Sequence, residues 1–103
     1  MASRETAIKE IAAFVEECRS KGLLFKKVYL FGSAAKNQCD EWSDIDLLLV
    51  SDQFNDNIFE NIDLYSDINI KYPAIETHPY PTEIFNKGSD FIDEILKSAI
   101  EIQ

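Results

Sequence analysis

Two aspartates, Asp44 and Asp46, stand one residue apart at the head of the most apolar run of this sequence. Aspartate is depleted in strands, so the placement needs a reason. Strand side chains alternate between faces, and both carboxylates would therefore point the same way, about 7 Å apart. They would repel each other unless a cation lies between them. Mg²⁺ takes such oxygen ligands together with substrate phosphates, so the pair predicts a metal site.

A Gly-Ser pair, Gly32-Ser33, precedes these aspartates and follows a short β-rich run. Glycine lets a ligand approach the backbone, and the N–H groups at the start of a helix favour phosphate. Ser33 adds a hydroxyl, and Lys36, one helical turn on, could reach a polyphosphate. The bland alternative is an ordinary turn followed by solvated aspartates. Each feature alone is weak evidence, but the combination favours a site for nucleotide and metal.

The elements that must position these residues follow from the hydrophobic pattern. We predict a helix that ends near Gly22, strands over 28–31 and 44–50, a weaker helix over 56–69 with Ile58 and Phe59 on its buried side, and a strand over 72–77. Two prolines indicate a turn or extended loop over 78–81. An apolar stripe from residue 89 onward predicts a last helix that includes Ile100. The predicted class is α+β, in the order α-β-β-α-β-α, with a small mixed sheet and helices packed on one side.

Size and charge limit the function. The 103 residues fit one domain, 1–103, and carry a net charge of −9. An acidic surface does not attract a phosphate backbone, so long nucleic acid is a poor partner, while a small anionic ligand can bind through metal ions. Apolar runs are too short to span a membrane, and we expect no membrane association. Two cysteines are too few for a disulfide framework, which favours the cytoplasm.

The sequence around the Gly-Ser pair and the two aspartates resembles that of a known family. Gly32-Ser33, ten residues and then Asp44-x-Asp46 are similar to the signature of the polymerase-beta-like nucleotidyltransferases. The short chain resembles the minimal members, the MNT proteins. The resemblance is strongest over residues 28–50 and looser from there to the C-terminus.

The resemblance implies a third acidic residue on a neighbouring strand, and Glu76 occupies the matching position. Many relatives carry aspartate there, so glutamate is a mild departure. The implied metal ligands and catalytic groups are Asp44, Asp46 and Glu76, with two Mg²⁺ ions. The implied nucleotide-binding residues are Gly32, Ser33 and Lys36. The sequence departs from the family at Ala34, where relatives often have arginine.

The implied reaction is transfer of AMP from ATP to a hydroxyl, with loss of pyrophosphate. The chain is too short to include the helical domain of larger transferases, so a separate protein would supply the acceptor. The resemblance suggests a helical HEPN toxin, modified on a tyrosine and neutralised by this chain as antitoxin. Such a function includes hetero-oligomers, and homo-oligomers stay open.

Two other functions remain open at this stage. The chain could block its partner by occupancy alone, as a binding module without catalysis. It could instead modify a small hydroxylated molecule. His78, the only histidine, is interpreted as a residue that shapes a loop, with contact to the substrate as the alternative. Trp42 is interpreted as packing a loop or stacking on a base.

Overall fold

A computed structural model describes residues 4–32, 35 and 44–103 of the chain. Within them lie five helices and four strands, which follow one another along the chain as α1 (Arg4–Ser20), β1 (Lys27–Phe31), β2 (Ile45–Ser51), α2 (Ile58–Asp63), α3 (Ser66–Asn69), β3 (Ile75–Pro81), α4 (Thr82–Lys87), α5 (Asp90–Leu96) and β4 (Ile100–Glu101). None of the described helices combines the length and apolar character needed to cross a membrane.

The described strands form one mixed sheet in the order β3-β2-β1-β4. β1 pairs antiparallel with β2 and with β4, whereas β2 and β3 run parallel and are joined through α2 and α3. The predicted α+β class with a small mixed sheet is confirmed. The last helix is shorter than predicted, because α5 ends at Leu96 and Ile100 pairs with Leu30 in the sheet.

One face of the sheet packs against α1 and forms the apolar core. The buried side of α1 follows helical spacing through Ala7, Ile11, Phe14 and Cys18. These side chains meet the inward-facing residues of β1 and β2, namely Val28, Leu30, Ile45, Leu47 and Leu49. Burying one large aliphatic or aromatic side chain contributes about 1.5–3 kcal/mol, so this face accounts for much of the stability.

The opposite face is covered in part by the C-terminal helices. Tyr29 lies between the core residues of β1 and therefore points away from the core, where its ring stacks on Phe85 of α4 with 5.8 Å between centroids. The predicted packing of helices on one side describes α1 and α3. It does not include α4, whose contact with Tyr29 gives the second face its own cover.

β3 corrects the prediction of a strand over 72–77 followed by a loop over 78–81. The strand begins at Ile75 and continues through Pro79 and Pro81. Among the described strands β3 lies at an edge of the sheet, where a missing N–H group costs least. A parallel ladder uses alternate residues of each strand, so two prolines that are two residues apart can both face outward.

The helix predicted over 56–69 is two short helices. Asn57 caps α2, since its side chain accepts hydrogen bonds from the N–H groups of Phe59 and Glu60 at 3.0 and 3.3 Å. The helix turns Asn61 inward, where its side chain holds the backbone of Asn55. Ile58 and Phe59, predicted to be buried, are consequently 50% and 77% exposed.

Candidate active site

The second face of β2 and β3 brings two acidic side chains together. In the parallel register Asp46 lies beside Glu76, and Leu48 lies beside His78. Ile45 and Leu47, on either side of Asp46, belong to the core. Because neighbouring residues alternate, Asp46 points away from that core, and its register partner Glu76 points the same way.

His78 joins this pair. One potential ligand atom from each of Asp46, Glu76 and His78 lies within 4.8 Å of the other two. Nε2 of His78 is 3.7 Å from Oδ1 of Asp46, and each of these two side chains is 28% exposed. Glu76 is exposed, so the cluster is open to solvent on one side and enclosed on the other. We call these three residues the β2–β3 cluster.

Asp44 lies directly before β2 and is exposed. Among the described residues it is not part of the group whose ligand atoms meet within 4.8 Å. Its negative charge still acts on the cluster, because it contributes to raising the pKa of Asp46. The structure therefore places Asp44 at the margin of the cluster, and its role as a ligand stays a prediction.

Gly32 lies against the cluster from the neighbouring strand. Its φ of +78° favours glycine, and a Cβ at this position would overlap Oδ2 of Asp46 and lie 3.3 Å from its Cγ. The sequence suggested that glycine makes room for a ligand; in the structure it also makes room for the Asp46 carboxylate. The predicted phosphate-binding residues Ser33 and Lys36 lie outside the described residues.

Partial burial and a nearby like charge disfavour the ionised form of the Asp46 carboxylate. Burial raises its pKa above the usual 3.8, and the nearby negative charge of Glu76 raises it further. His78 acts in the opposite direction, but the net pKa is still raised. A positive charge placed between the two carboxylates would relieve both effects.

Comparison with known proteins tests what kind of site this is. Residues 11–102 match the nucleotidyltransferase domain family. The chain belongs to this family. The match includes β1, β2 and β3, and with them Gly32 and the whole β2–β3 cluster. It confirms the resemblance on which the sequence analysis relied, and it makes the protein a nucleotidyltransferase.

Relatives of this nucleotidyltransferase extend the comparison. A protein of Methanocaldococcus jannaschii with the provisional name protein adenylyltransferase MJ0604 is 41% identical over 88 residues, which cover 82% of this chain and 81% of the relative. A crystal structure from Sulfolobus solfataricus, provisionally described as a nucleotidyltransferase, has a TM-score of 0.69 at 24% identity and covers 95% of this chain and 80% of its own.

A second solved structure contains a tri-AMPylated HEPN toxin of Shewanella oneidensis in complex with an MNT antitoxin. Its matching chain has a TM-score of 0.55 at 15% identity, with coverage of 97% of this chain and 71% of that chain. At such low identity these two structures establish the fold alone. The α+β architecture of this chain is thus that of known nucleotidyltransferases.

The β2–β3 cluster fits a divalent cation. Asp46 and Glu76 offer carboxylate oxygens, which are the ligands that Mg²⁺ and Mn²⁺ take in proteins. Within the described part of the chain, Nε2 of His78 is buried and has no hydrogen-bond partner. A cation would neutralise the repulsion between the carboxylates and satisfy this nitrogen.

His78 is the residue of the cluster that the sequence interpretation undervalued. The prolines around it indicated a loop, and in a loop its side chain has no predictable direction. In a strand, residues two apart share a face, so the Glu76-x-His78 spacing has the same meaning as Asp44-x-Asp46. That spacing was the available signal, provided that the strand was extended past residue 77.

Proposed function

We propose that this nucleotidyltransferase transfers AMP from ATP to the hydroxyl group of a tyrosine in a helical HEPN toxin and so acts as an antitoxin. The observation that carries the proposal is the β2–β3 cluster, whose ligand atoms lie within 4.8 Å of one another on the face of the sheet opposite the core. The 41% identical relative is named as a protein adenylyltransferase, which supports a protein acceptor.

Each residue would have a defined part in the reaction. Asp46 and Glu76, with Asp44 beside them, would hold Mg²⁺, which when bound neutralises charge on the phosphates and on the leaving pyrophosphate. The acceptor oxygen forms a bond to the α-phosphorus as the bond to pyrophosphate breaks. The proton of the hydroxyl passes to Glu76, the exposed carboxylate of the cluster. Gly32 keeps Asp46 in place, and Ser33 and Lys36 would bind the triphosphate.

The surface beside the cluster offers room for an acceptor side chain. A cavity of about 310 Å³ lies along the outer edge of β3 and is lined in part by His78, Ile58 and Ile84. The lining also includes Pro79 and Tyr80, so it suits an aromatic ring whose hydroxyl faces the cluster. His78 belongs both to this cavity and to the cluster, which connects acceptor and metal.

Charge and exposed apolar side chains both favour a protein partner. The chain carries a net charge of −9, which would attract a basic surface. Phe59 and Ile58 are exposed next to the cavity, where a docked helix could cover them. A cytoplasmic location is part of the proposal, since Cys18 is buried in the core as a free thiol.

Labelled ATP, Mg²⁺ and a co-expressed HEPN partner test the proposal. Wild type is compared with the double variant Asp44→Asn/Asp46→Asn and with Asp63→Asn, which changes an exposed aspartate of α2 that is not part of the cluster. We expect label on a tyrosine of the partner with wild type and with Asp63→Asn, and none with the double variant.

Two results would contradict this function. If the partner stays unlabelled while the double variant still neutralises it, the chain acts by occupancy. If label appears only on a small molecule, the acceptor is not a protein.

A further inference from the structure

His78 is placed toward the same point in space as the two carboxylates. It follows Glu76 by two residues on β3, and its register partner Leu48 follows Asp46 by two on β2. All three polar side chains therefore stand on one face of the sheet. The distance of 3.7 Å between Nε2 of His78 and Oδ1 of Asp46 is too long for a hydrogen bond, but it suits two atoms that bind one ion.

The imidazole is held in this position by a neighbouring ring. Phe31, whose register partner on β2 is Asp46, lies with its ring centroid 5.2 Å from that of His78, at an angle of 59° between planes. This contact limits rotation of the imidazole. Since Nε2 is buried and has no hydrogen-bond partner in the described part of the chain, its lone pair or proton needs another partner.

We propose that Nε2 of His78 is a nitrogen ligand of the cation held by Asp46 and Glu76, and that this ligand makes the site selective for first-row transition ions over Mg²⁺. The inference deepens the proposed function and rests on it for the presence of the cation. Mg²⁺ is bound by oxygen ligands, whereas imidazole suits transition ions, whose affinities rise from Mn²⁺ through Co²⁺. A site with two carboxylates and one imidazole therefore discriminates between the two classes of ion.

The bland alternative is that a protonated His78 serves as a counter-charge for Asp46 and gives no lone pair to a metal. The two roles differ in the magnetic coupling between the imidazole nitrogen and the unpaired electrons of a bound ion. A nitrogen ligand couples magnetically to a bound Mn²⁺, and a protonated ring kept away from the ion does not.

An imidazole signal from this protein can be assigned to His78, because His78 is the only histidine of the chain. Untagged protein is loaded with Mn²⁺ alone, and electron spin echo envelope modulation is recorded. We expect an imidazole nitrogen coupling, which changes when the protein is made with ¹⁵N-labelled histidine. This measurement needs no substitution and therefore does not depend on how a variant folds.

Affinity gives the second readout. Calorimetric titration with Co²⁺ and with Mg²⁺ is compared between wild type and His78→Gln, with Tyr72→Phe as the control, since Tyr72 belongs neither to the cluster nor to the cavity lining and its ring packs on Phe14. We expect His78→Gln to lose at least about 10-fold in Co²⁺ affinity and less than about 3-fold in Mg²⁺ affinity. Tyr72→Phe should change neither value.

The outcomes separate the inference from the proposed function. Bound Mn²⁺ without an imidazole coupling, or equal losses for Co²⁺ and Mg²⁺ in His78→Gln, would overturn the nitrogen ligand and leave the transferase proposal intact. No binding of any of these ions, together with AMP transfer that is insensitive to chelators, would overturn both.

Discussion

The two faces of the β2–β3 pair are built from alternating residues of the same two strands, yet their side chains differ in character. On one face Ile45 and Leu47 are buried among apolar side chains. On the other, Asp46 stands beside Glu76 and His78, with like charges close together and its pKa raised. The first face stabilises the fold, and the second is tolerated because the first holds it in place.

This difference shows how a small chain can carry a candidate active site. Among the residues of β2 only Asp46 is not buried, and Leu48 and Val50 on the same face are covered. One strand therefore serves both purposes, with its polar group near the start. The Asp46 carboxylate does not stabilise the metal-free fold, because its partial burial and the negative charge of Glu76 oppose its ionisation. Substitutions on the two faces should therefore separate stability from cation binding.

The largest expected effect on stability comes from the core face. Leu47→Ala removes a fully buried side chain next to Asp46 and should lower the free energy of unfolding by about 2–5 kcal/mol. Urea denaturation measures this loss. The fraction that remains folded should bind a divalent cation as wild type does. A loss of cation affinity in that folded fraction would show that the two faces are not separable.

Two of the three described glycines with positive φ give a smaller, matched comparison. Gly22→Ala and Gly32→Ala both place a side chain in a left-handed conformation, at φ of +94° and +78°, and each should cost about 1–3 kcal/mol. Only at Gly32 would the new Cβ meet the carboxylate of Asp46; at Gly22 no described atom lies within 4 Å.

Cation affinity, measured by calorimetry for both glycine variants, should fall in Gly32→Ala alone. Equal affinities in the two variants would mean that Gly32 does not position Asp46.

The smallest expected effect concerns the thiol that the core face buries. Burial in the core raises the pKa of Cys18 from 9.0 to about 12. The folded chain therefore holds this proton more tightly than the unfolded chain, and the associated stability is present below pH 9 and lost as the pH rises toward 12. By pH 10 the loss should be about 1 kcal/mol.

Urea denaturation at pH 8 and pH 10 checks this value, with Cys18→Ala as the reference that lacks the thiol. From pH 8 to pH 10 the unfolding free energy of wild type should fall relative to that of Cys18→Ala. A difference that does not change with pH would contradict an uncharged, desolvated Cys18.

The part of the fold that could be predicted is the part governed by local pattern. Alternation around Asp46 identified β2 and its two faces, and helical spacing identified α1. The pairing of Asp46 with Glu76 depends on a parallel register between strands that are distant in sequence, and periodicity carries no information on that register. The family resemblance, not the local pattern, supplied Glu76.

The errors also have physical reasons. Two prolines are compatible with β3 only because it lies at an edge among the described strands, which the sequence does not reveal. Ile58 and Phe59 looked buried because they are apolar, whereas the cap at Asn57 sets where α2 begins and Asn61 takes the inward position. Exposed apolar residues of this kind are expected on a surface that meets a partner.

The central claim is that the polar face of β2 and β3 is a divalent-cation site. Calorimetric titration of Mn²⁺ into wild type, Asp46→Asn and the control Asp63→Asn tests it directly. Substitution of a residue that only hydrogen-bonds to a metal ligand lowers metal affinity by about 10–100-fold. Asp46→Asn, which alters a ligand itself, should therefore weaken Mn²⁺ binding by more than about 100-fold, and Asp63→Asn should leave it unchanged. Equal Mn²⁺ affinities in wild type and Asp46→Asn would contradict the account.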